Sequence, residues 1–315
     1  MATLSRVKNA EKRGILSALK SDLHINYTLY ILMIPVIIYY IIFCYKPMYG
    51  AIIAFKDYQP AVGILSSPWA GVKHFKAFFL NPDFPRIFKN TLTISGCCIL
   101  FGFPAPIILA LLFNELKFNK FKSLTQTIAY MPHFISLVVV CGLVKTFVSN
   151  GGIIFEIVSK LTGKEVGLLN IPAYFVPIYV LSDIWQGVGW GSIIYVAALS
   201  GIDSELYEAA MIDGAGKWKQ LWNVTLPGIA PTITIMFILR LGSLFSVGYE
   251  KVILLYNPLT YETADIISSY VYRMGLGNQN WSYSAAVGLF NSVINFVIVI
   301  LANTISRRVS ETSLW

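Results

Sequence analysis

Charge is scarce in this sequence. Of 315 residues, 13% are Asp, Glu, Lys or Arg and 56% are hydrophobic, whereas soluble domains carry about a quarter charged residues. Half the usual charge cannot cover a globule of this size in water, which excludes an ordinary soluble domain. Catalytic and metal-binding residue types are equally thin. The three histidines, His24, His74 and His133, stand far apart with no ligand-like spacing, and no Ser/His/Asp arrangement is visible. The four cysteines, Cys44, Cys97, Cys98 and Cys141, lie in apolar runs. No zinc or disulfide spacing links them, so they read as small hydrophobes, and no metal site is expected. No small-residue cleavage site follows the basic amino terminus, so no removable signal peptide is expected. The net charge of +8 is spread over loops and tails without a basic stripe. That suits anionic lipid headgroups and argues against nucleic acid.

What the chain has is apolar length. Six segments approach or exceed the roughly 20 residues that cross a hydrocarbon core: 26–45, 90–113, 124–148, 172–199, 228–247 and 283–305. The expected fold is all-α, a polytopic membrane protein with six transmembrane helices. Residues 1–25, basic with Ile15, Leu16, Leu19 and Leu23 at helical spacing, predict an amphipathic helix lying along the membrane. Residues 26–305 form the single six-helix domain, and 306–315 a tail. Pro104 and Pro106 should kink the second span. External connections are expected at 46–89, where Trp69 and several phenylalanines suit the headgroup level, and at 248–280. Six spans put both termini on one side. The near-even division of Lys and Arg between the two sides leaves open which side that is.

The stretch from Glu205 to Pro227 is a short polar interruption between two long apolar segments. Asp203 or Ser204 can cap a helix through Glu208, Ala209 and Ala210, and Asp213-Gly214 supplies a turn. Trp218, Leu221 and Trp222 then fall on one face of a second short helix, which Leu226-Pro227 should end. The paired alanines permit close approach by another surface, and Glu208 offers a carboxylate that an arginine can clamp. An amphipathic loop resting on the membrane explains the same pattern. A phosphate-binding loop does not: Met211 and Trp218 occupy places where that loop needs Gly and Ser or Thr.

Ionisable residues inside spans usually face a protein interior or a wet cavity. Asp183 and Arg240 are therefore candidates for a substrate pathway, or for structural pairs with other spans. Trp185, Gln186, Trp190 and Tyr195 offer stacking faces and hydrogen bonds suited to sugars, or else helix packing. Asn291 and Asn295, one turn apart, suit either substrate contact or interhelical hydrogen bonding.

The motif Glu208-Ala209-Ala210, then Gly214, then nine residues to Val224-Thr225-Leu226-Pro227, resembles the EAA motif of bacterial ABC importer permeases. It departs from the family pattern only in Val224 for Ile. The resemblance extends over nearly the whole chain, through FPAPIILALLFNEL, YMPHFIS, WQGVGWGSIIYVAALSGID, VILLYNP, SSYVYR and AVGLFNSVINFVIVILAN. These look like the branch that imports complex or acidic oligosaccharides and polysaccharides on a maltose-permease-like core. The large external domain of the maltose permease's longer subunit is absent.

The resemblance implies that Glu208, Ala209, Ala210, Asp213, Gly214, Leu226 and Pro227 couple to a separate cytoplasmic ATPase dimer, which itself binds ATP and Mg. This chain would then be a non-catalytic subunit with no cofactor of its own. The further partners implied are a second related permease, an extracytoplasmic solute-binding protein, a saccharide and membrane lipids. The solute-binding protein should meet external segments that include Tyr270 to Arg273. The resemblance also implies a bacterial cell membrane location with both termini cytoplasmic. An ion-coupled secondary transporter is the alternative. It would call for inverted repeats and paired broken spans, which the sequence does not clearly show.

Overall fold

The structure, a computed structural model, describes residues 22–163, 166–246 and 248–309. Nearly all of the amphipathic helix expected over 1–25, and most of the tail after 305, lie outside the described residues. Among those described, every regular element is helical, apart from an isolated bridge between Lys56 and Trp69. Five helical runs are long and apolar enough to cross a membrane.

The first run begins with α1 (Tyr27–Tyr39) and continues through a π-turn and a short 3₁₀ segment to Phe55. α1 buries nothing within this protein; only the far end of the run, at Ala54, reaches the core. α2 (Lys73–Phe79) inserts Phe78 among Ile87, Phe245, Tyr270 and Tyr283.

α3 (Phe84–Cys97) and α4 (Pro104–Glu115) make one span, joined by a π-turn at Cys98–Gly102. The expected proline kink takes the form of this widened turn, because Pro104 has no N–H to give the preceding turn.

The third span is not the continuous helix expected over 124–148. α5 (Asn119–Tyr130) passes into a 3₁₀ turn at Met131–Phe134, and Ile135 is extended. α6 (Leu137–Val148) starts afresh, with the Ser136 side chain accepting from the Val139 N–H. Pro132 and the Ser136 cap account for the break. α7 (Ile153–Thr162) follows directly.

α8 (Pro172–Ser200) is the axis of the fold, about 43 Å long at the standard helical rise. It packs on α3, α4 and α5 and, later in the chain, on Leu226–Gly242, Tyr249–Leu255 and Tyr261–Ala264. It is absent from the five apolar runs because Asp183, Gln186 and several Gly and Ser residues dilute it. Gly189 permits one close crossing: a Cβ there would overlap the Ala129 carbonyl oxygen.

The chain then forms α9 (Ser204–Ile212), α10 (Lys217–Gln220), α11 (Leu226–Gly242), α12 (Tyr249–Leu255), α13 (Ile267–Tyr272) and α14 (Trp281–Val309). Residues 248–280, expected as an external loop, pack their central part into the protein, while 248–250 and 276–280 are exposed. Val252, Leu255, Ala264, Ile266, Ile267 and Tyr270 are all buried.

Their polar backbone is satisfied from within. Asn90 Nδ2 donates to the carbonyls of Glu262 and Asp265, and Thr91 Oγ1 accepts from the Ile267 N–H. The buried Asp265 carboxylate is held by both terminal guanidinium nitrogens of Arg273, at 3.0 and 2.6 Å, and by the Ser269 hydroxyl. The segment from Tyr270 to Arg273, expected to face an external partner, is largely turned inward. Tyr270 is buried against Tyr283, and Arg273 is consumed by Asp265; Tyr272 is the exposed member.

Candidate functional site

Two features stand out: a helical handle, and a charged hollow on the helices that flank it. The handle is α9. Asp203 Oδ1 accepts from the Glu205 N–H at 3.0 Å, so the expected cap is Asp203. At the other end Gly214 sits at φ +73°. Its N–H bonds to the Met211 carbonyl at 3.0 Å, and the Ala215 N–H reaches back to the Ala210 carbonyl at 2.8 Å. This is the paired hydrogen-bond closure of a left-handed helix end, which only glycine enters without strain. Glu208 and Ala209 are exposed, as are Asp213 and the large apolar side chains of Leu206, Met211, Ile212, Trp218 and Trp222.

Hydrogen bonds tie the handle to α10 and α11. The Tyr207 and Thr225 hydroxyls lie 3.0 Å apart, and the buried Gln220 donates Nε2 to the Ala215 carbonyl at 2.8 Å. Lys217 Nζ pairs with Glu115 at 3.2 Å. Leu226-Pro227 does not end the second helix as expected. α10 runs through a π-turn at Leu221–Thr225 into α11, giving one 26-residue helix from Lys217 to Gly242. The π-turn is where the chain accommodates a proline that cannot donate.

The hollow comprises two cavities of about 270 and 360 Å³. Both are lined by Asp183 of α8 and by Arg240 and Ser243 at the end of α11. Asp183 Oδ1 lies 3.4 Å from Lys251 Nζ, and that ammonium also lies 5.1 Å from the centre of the Tyr179 ring. Among the described residues the Arg240 side chain has no ion-pair or hydrogen-bond partner, and it is exposed to the hollow. The sequence carries no local mark of Lys251 as a member of this hollow. Lys251 lies in a stretch read as an external loop.

The other sequence candidates are distributed differently. Tyr195 is mostly buried among Ala110, Leu199 and Ile229, with an edge on the larger cavity. Trp185 faces an apolar pocket with Leu143, Phe147 and Leu181, away from Asp183. Gln186 donates to the Ile135 carbonyl at 3.3 Å, where the third span breaks. Trp190 stacks on His133, ring centres 4.6 Å apart. Asn295 accepts from the Phe245 N–H at 2.9 Å and donates to Ser246, an interhelical role. Asn291 lines a separate pocket, where its buried Oδ1 has no partner among the described residues.

A helical membrane protein with a projecting capped helix and a charged hollow between the helices on either side is a transport subunit in its general class. The chain belongs to the family of binding-protein-dependent transport system inner membrane components, whose model matches residues 102–311. It is 44% identical over 288 residues to the protein LplB of Bacillus subtilis strain 168, covering 91% of each chain. It is 42% identical to that organism's polygalacturonan/rhamnogalacturonan transport system permease protein YteP, over 91% of this chain and 90% of the relative. Among solved structures it resembles a chain of a bacterial alginate ABC transporter in complex with an alginate pentasaccharide-bound periplasmic protein. That match has a TM-score of 0.85 and 44% identity, and covers 93% of this chain and 99% of the other.

Proposed function

We propose that this chain is a non-catalytic permease subunit that carries an oligosaccharide or polysaccharide inward by alternating access, driven by a separate ATPase dimer. One observation carries the mechanism. The exposed helix α9 joins the two helices whose residues Asp183 and Arg240 face a common hollow. A partner that grips Glu208 and the small face at Ala209 and Ala210 moves both walls of that hollow together. The hydrogen bonds from Tyr207 and Gln220 make the handle rigid with α10 and α11. Asp213 and Gly214 set the end of the grip, while Leu226 and Pro227 lie where the helix passes into α11.

The EAA stretch lies on the cytoplasmic side in this reading, so both termini are cytoplasmic and the membrane is the bacterial cytoplasmic membrane. ATP and Mg stay on the ATPase, this chain binding no cofactor. A second related permease completes the pathway, and a solute-binding protein delivers the cargo from outside. Family membership sets aside the ion-coupled alternative.

For the cargo, likeness to the alginate transporter and to the polygalacturonan/rhamnogalacturonan permease supports a saccharide. The unpaired Arg240 supports a carboxylated one, since a planar guanidinium binds carboxylates with two parallel hydrogen bonds. Asp183, held by Lys251, keeps the hollow from presenting two free cations. The test uses the reconstituted complex with its binding protein, measuring ATP hydrolysis stimulated by alginate or polygalacturonate oligomers and by neutral oligosaccharides. Arg240→Ala should weaken the response to the acidic oligomers and spare any response to neutral ones. An unchanged response across acidic oligomer concentrations returns Arg240 to a structural role.

A further inference from the structure

We infer a second saccharide contact in this chain, outside the charged hollow: a ring-stacking subsite formed by Tyr249, Tyr272 and Asn291. It rests on the proposed role as a saccharide permease. Tyr249 opens α12 and Tyr272 closes α13, and their ring centres lie 6.1 Å apart with the planes 33° to each other. Both rings remain open, Tyr249 40% and Tyr272 43% exposed, while Tyr270 and Tyr283 beside them are buried. Neither phenol hydroxyl is engaged by a described residue. The two rings border a pocket of about 370 Å³ whose other wall is α14 at Gly288 and Asn291.

The wall of α14 is cut for an occupant. A Cβ built on Gly288 meets nothing within 4 Å, so the helix leaves open space there. The floor is closed: Ser284 donates to the Val271 carbonyl at 3.0 Å, and a Cβ on Gly275 would stand 2.9 Å from the Ser284 hydroxyl. The contrast along α14 is informative. Asn295 has its amide oxygen and nitrogen engaged by Phe245 and Ser246. Asn291, one turn earlier, has a buried Oδ1 with no partner in the described residues. A buried acceptor without a donor is costly and calls for a partner supplied from elsewhere.

A sugar ring supplies both halves of what is missing. Its face of C–H groups stacks on the exposed aromatic rings, and its hydroxyls pair with the Asn291 amide once that side chain turns its buried Oδ1 into the pocket. A mostly apolar, aromatic pocket with one convergent polar group is the usual form of a small-molecule site. Tyr249 is two residues from Lys251 and adjoins Gly248, both of which line the charged hollow. The stacking subsite therefore borders the hollow across the start of α12. Aromatic stacking reads the sugar ring whatever its charge, and Arg240 reads a carboxylate.

The experiment measures uptake of alginate and polygalacturonate oligomers by proteoliposomes holding the full complex, with co-purification of the second permease and the ATPase as the check on assembly. Tyr249→Leu and Tyr272→Leu should each lower uptake by roughly three- to tenfold, the scale of one aromatic contact. Assembly should stay intact, and Tyr272→Phe, which keeps the ring face, should recover most of the uptake. Asn291→Leu should lower uptake with assembly intact. Leucine variants that transport as well as the unaltered chain overturn the subsite while leaving the permease reading in place. Loss of the second permease from the Leu variants overturns it too, by making this face a subunit interface. If the unaltered complex takes up neither these acidic oligomers nor neutral oligosaccharides, the saccharide reading itself fails, and the subsite with it.

Discussion

Asp183 and Arg240 face the same two cavities from α8 and α11, the helices that α9 connects. Asp183 is partnered, 3.4 Å from Lys251, and the Arg240 side chain is not partnered among the described residues. That asymmetry gives the hollow a net positive character, and the hollow lies between the two helices that α9 connects.

The Asp183–Lys251 pair has an unequal dependence on its members. Lys251 is 3% exposed and Asp183 40% exposed on their side chains, so Asp183→Asn strands the more deeply buried charge. It should destabilise the protein by about 3 kcal/mol, read as a lower thermal unfolding midpoint in detergent. Lys251→Met should cost less, and the double variant should recover much of the Asp183→Asn loss, as coupled neighbours do. Additive effects would show that the two charges do not interact.

Gly189 admits α8 against α5 because any Cβ there would collide with the Ala129 carbonyl oxygen. Gly189→Ala should cost about 1–3 kcal/mol through overpacking, lowering both the unfolding midpoint and the yield of assembled complex. Wild-type stability in this variant would mean that the two helices are not in such close contact.

Gly214 closes α9 in the left-handed region, at φ +73°. Gly214→Ala should lower transport modestly, since a Cβ there costs about 1–2 kcal/mol. Gly214→Pro should abolish transport while the chain still inserts, because proline can neither take that φ nor donate to Met211. Uptake assays set beside membrane-fraction blots separate loss of coupling from loss of insertion.

In the connection after the first span, Asp57 accepts from Lys73 Nζ at 2.9 Å and lies 3.0 Å from His74 Nε2. The Lys73 hydrogen bond holds the Asp57 carboxyl below its usual 3.8, with charge attraction from Lys73 and His74 adding to it. A depressed carboxyl contributes stability above the unfolded-state value and loses it as pH falls through the folded one. The clasp between residues 55 and 74 should therefore persist down to about pH 4 and open below it. Hydrogen exchange of those amides across pH checks this, and Asp57→Asn should show the open behaviour already at neutral pH.

Much of this architecture was legible in the sequence because membrane spans and helix caps are local signals. The apolar runs, the Asp203 cap and the Asp213-Gly214 turn all follow from residues adjacent in the chain. The break at Ile135 was missed because Leu124 to Val148 is apolar over most of its length, so hydropathy alone did not mark the turn at Met131–Phe134. Pro227 was read as a stop because a π-turn five residues long can absorb a proline without any sequence mark. Residues 248–280 carry enough polar residues to resemble a loop. Their burial depends on Asn90 and Thr91 supplying hydrogen bonds across more than 170 positions of sequence. The directions of Trp185 and Trp190 were unreadable for a related reason. α8 is apolar on nearly every side, so its sequence period does not define a face.

In the proposed mechanism α9 transmits force from an ATPase to the hollow. The most direct test is saccharide uptake by proteoliposomes containing the full complex with Glu208→Lys. Uptake should be lost and the ATPase should dissociate or co-purify weakly, while the permease chains still insert and pair. Normal uptake together with normal ATPase association in that variant would contradict it.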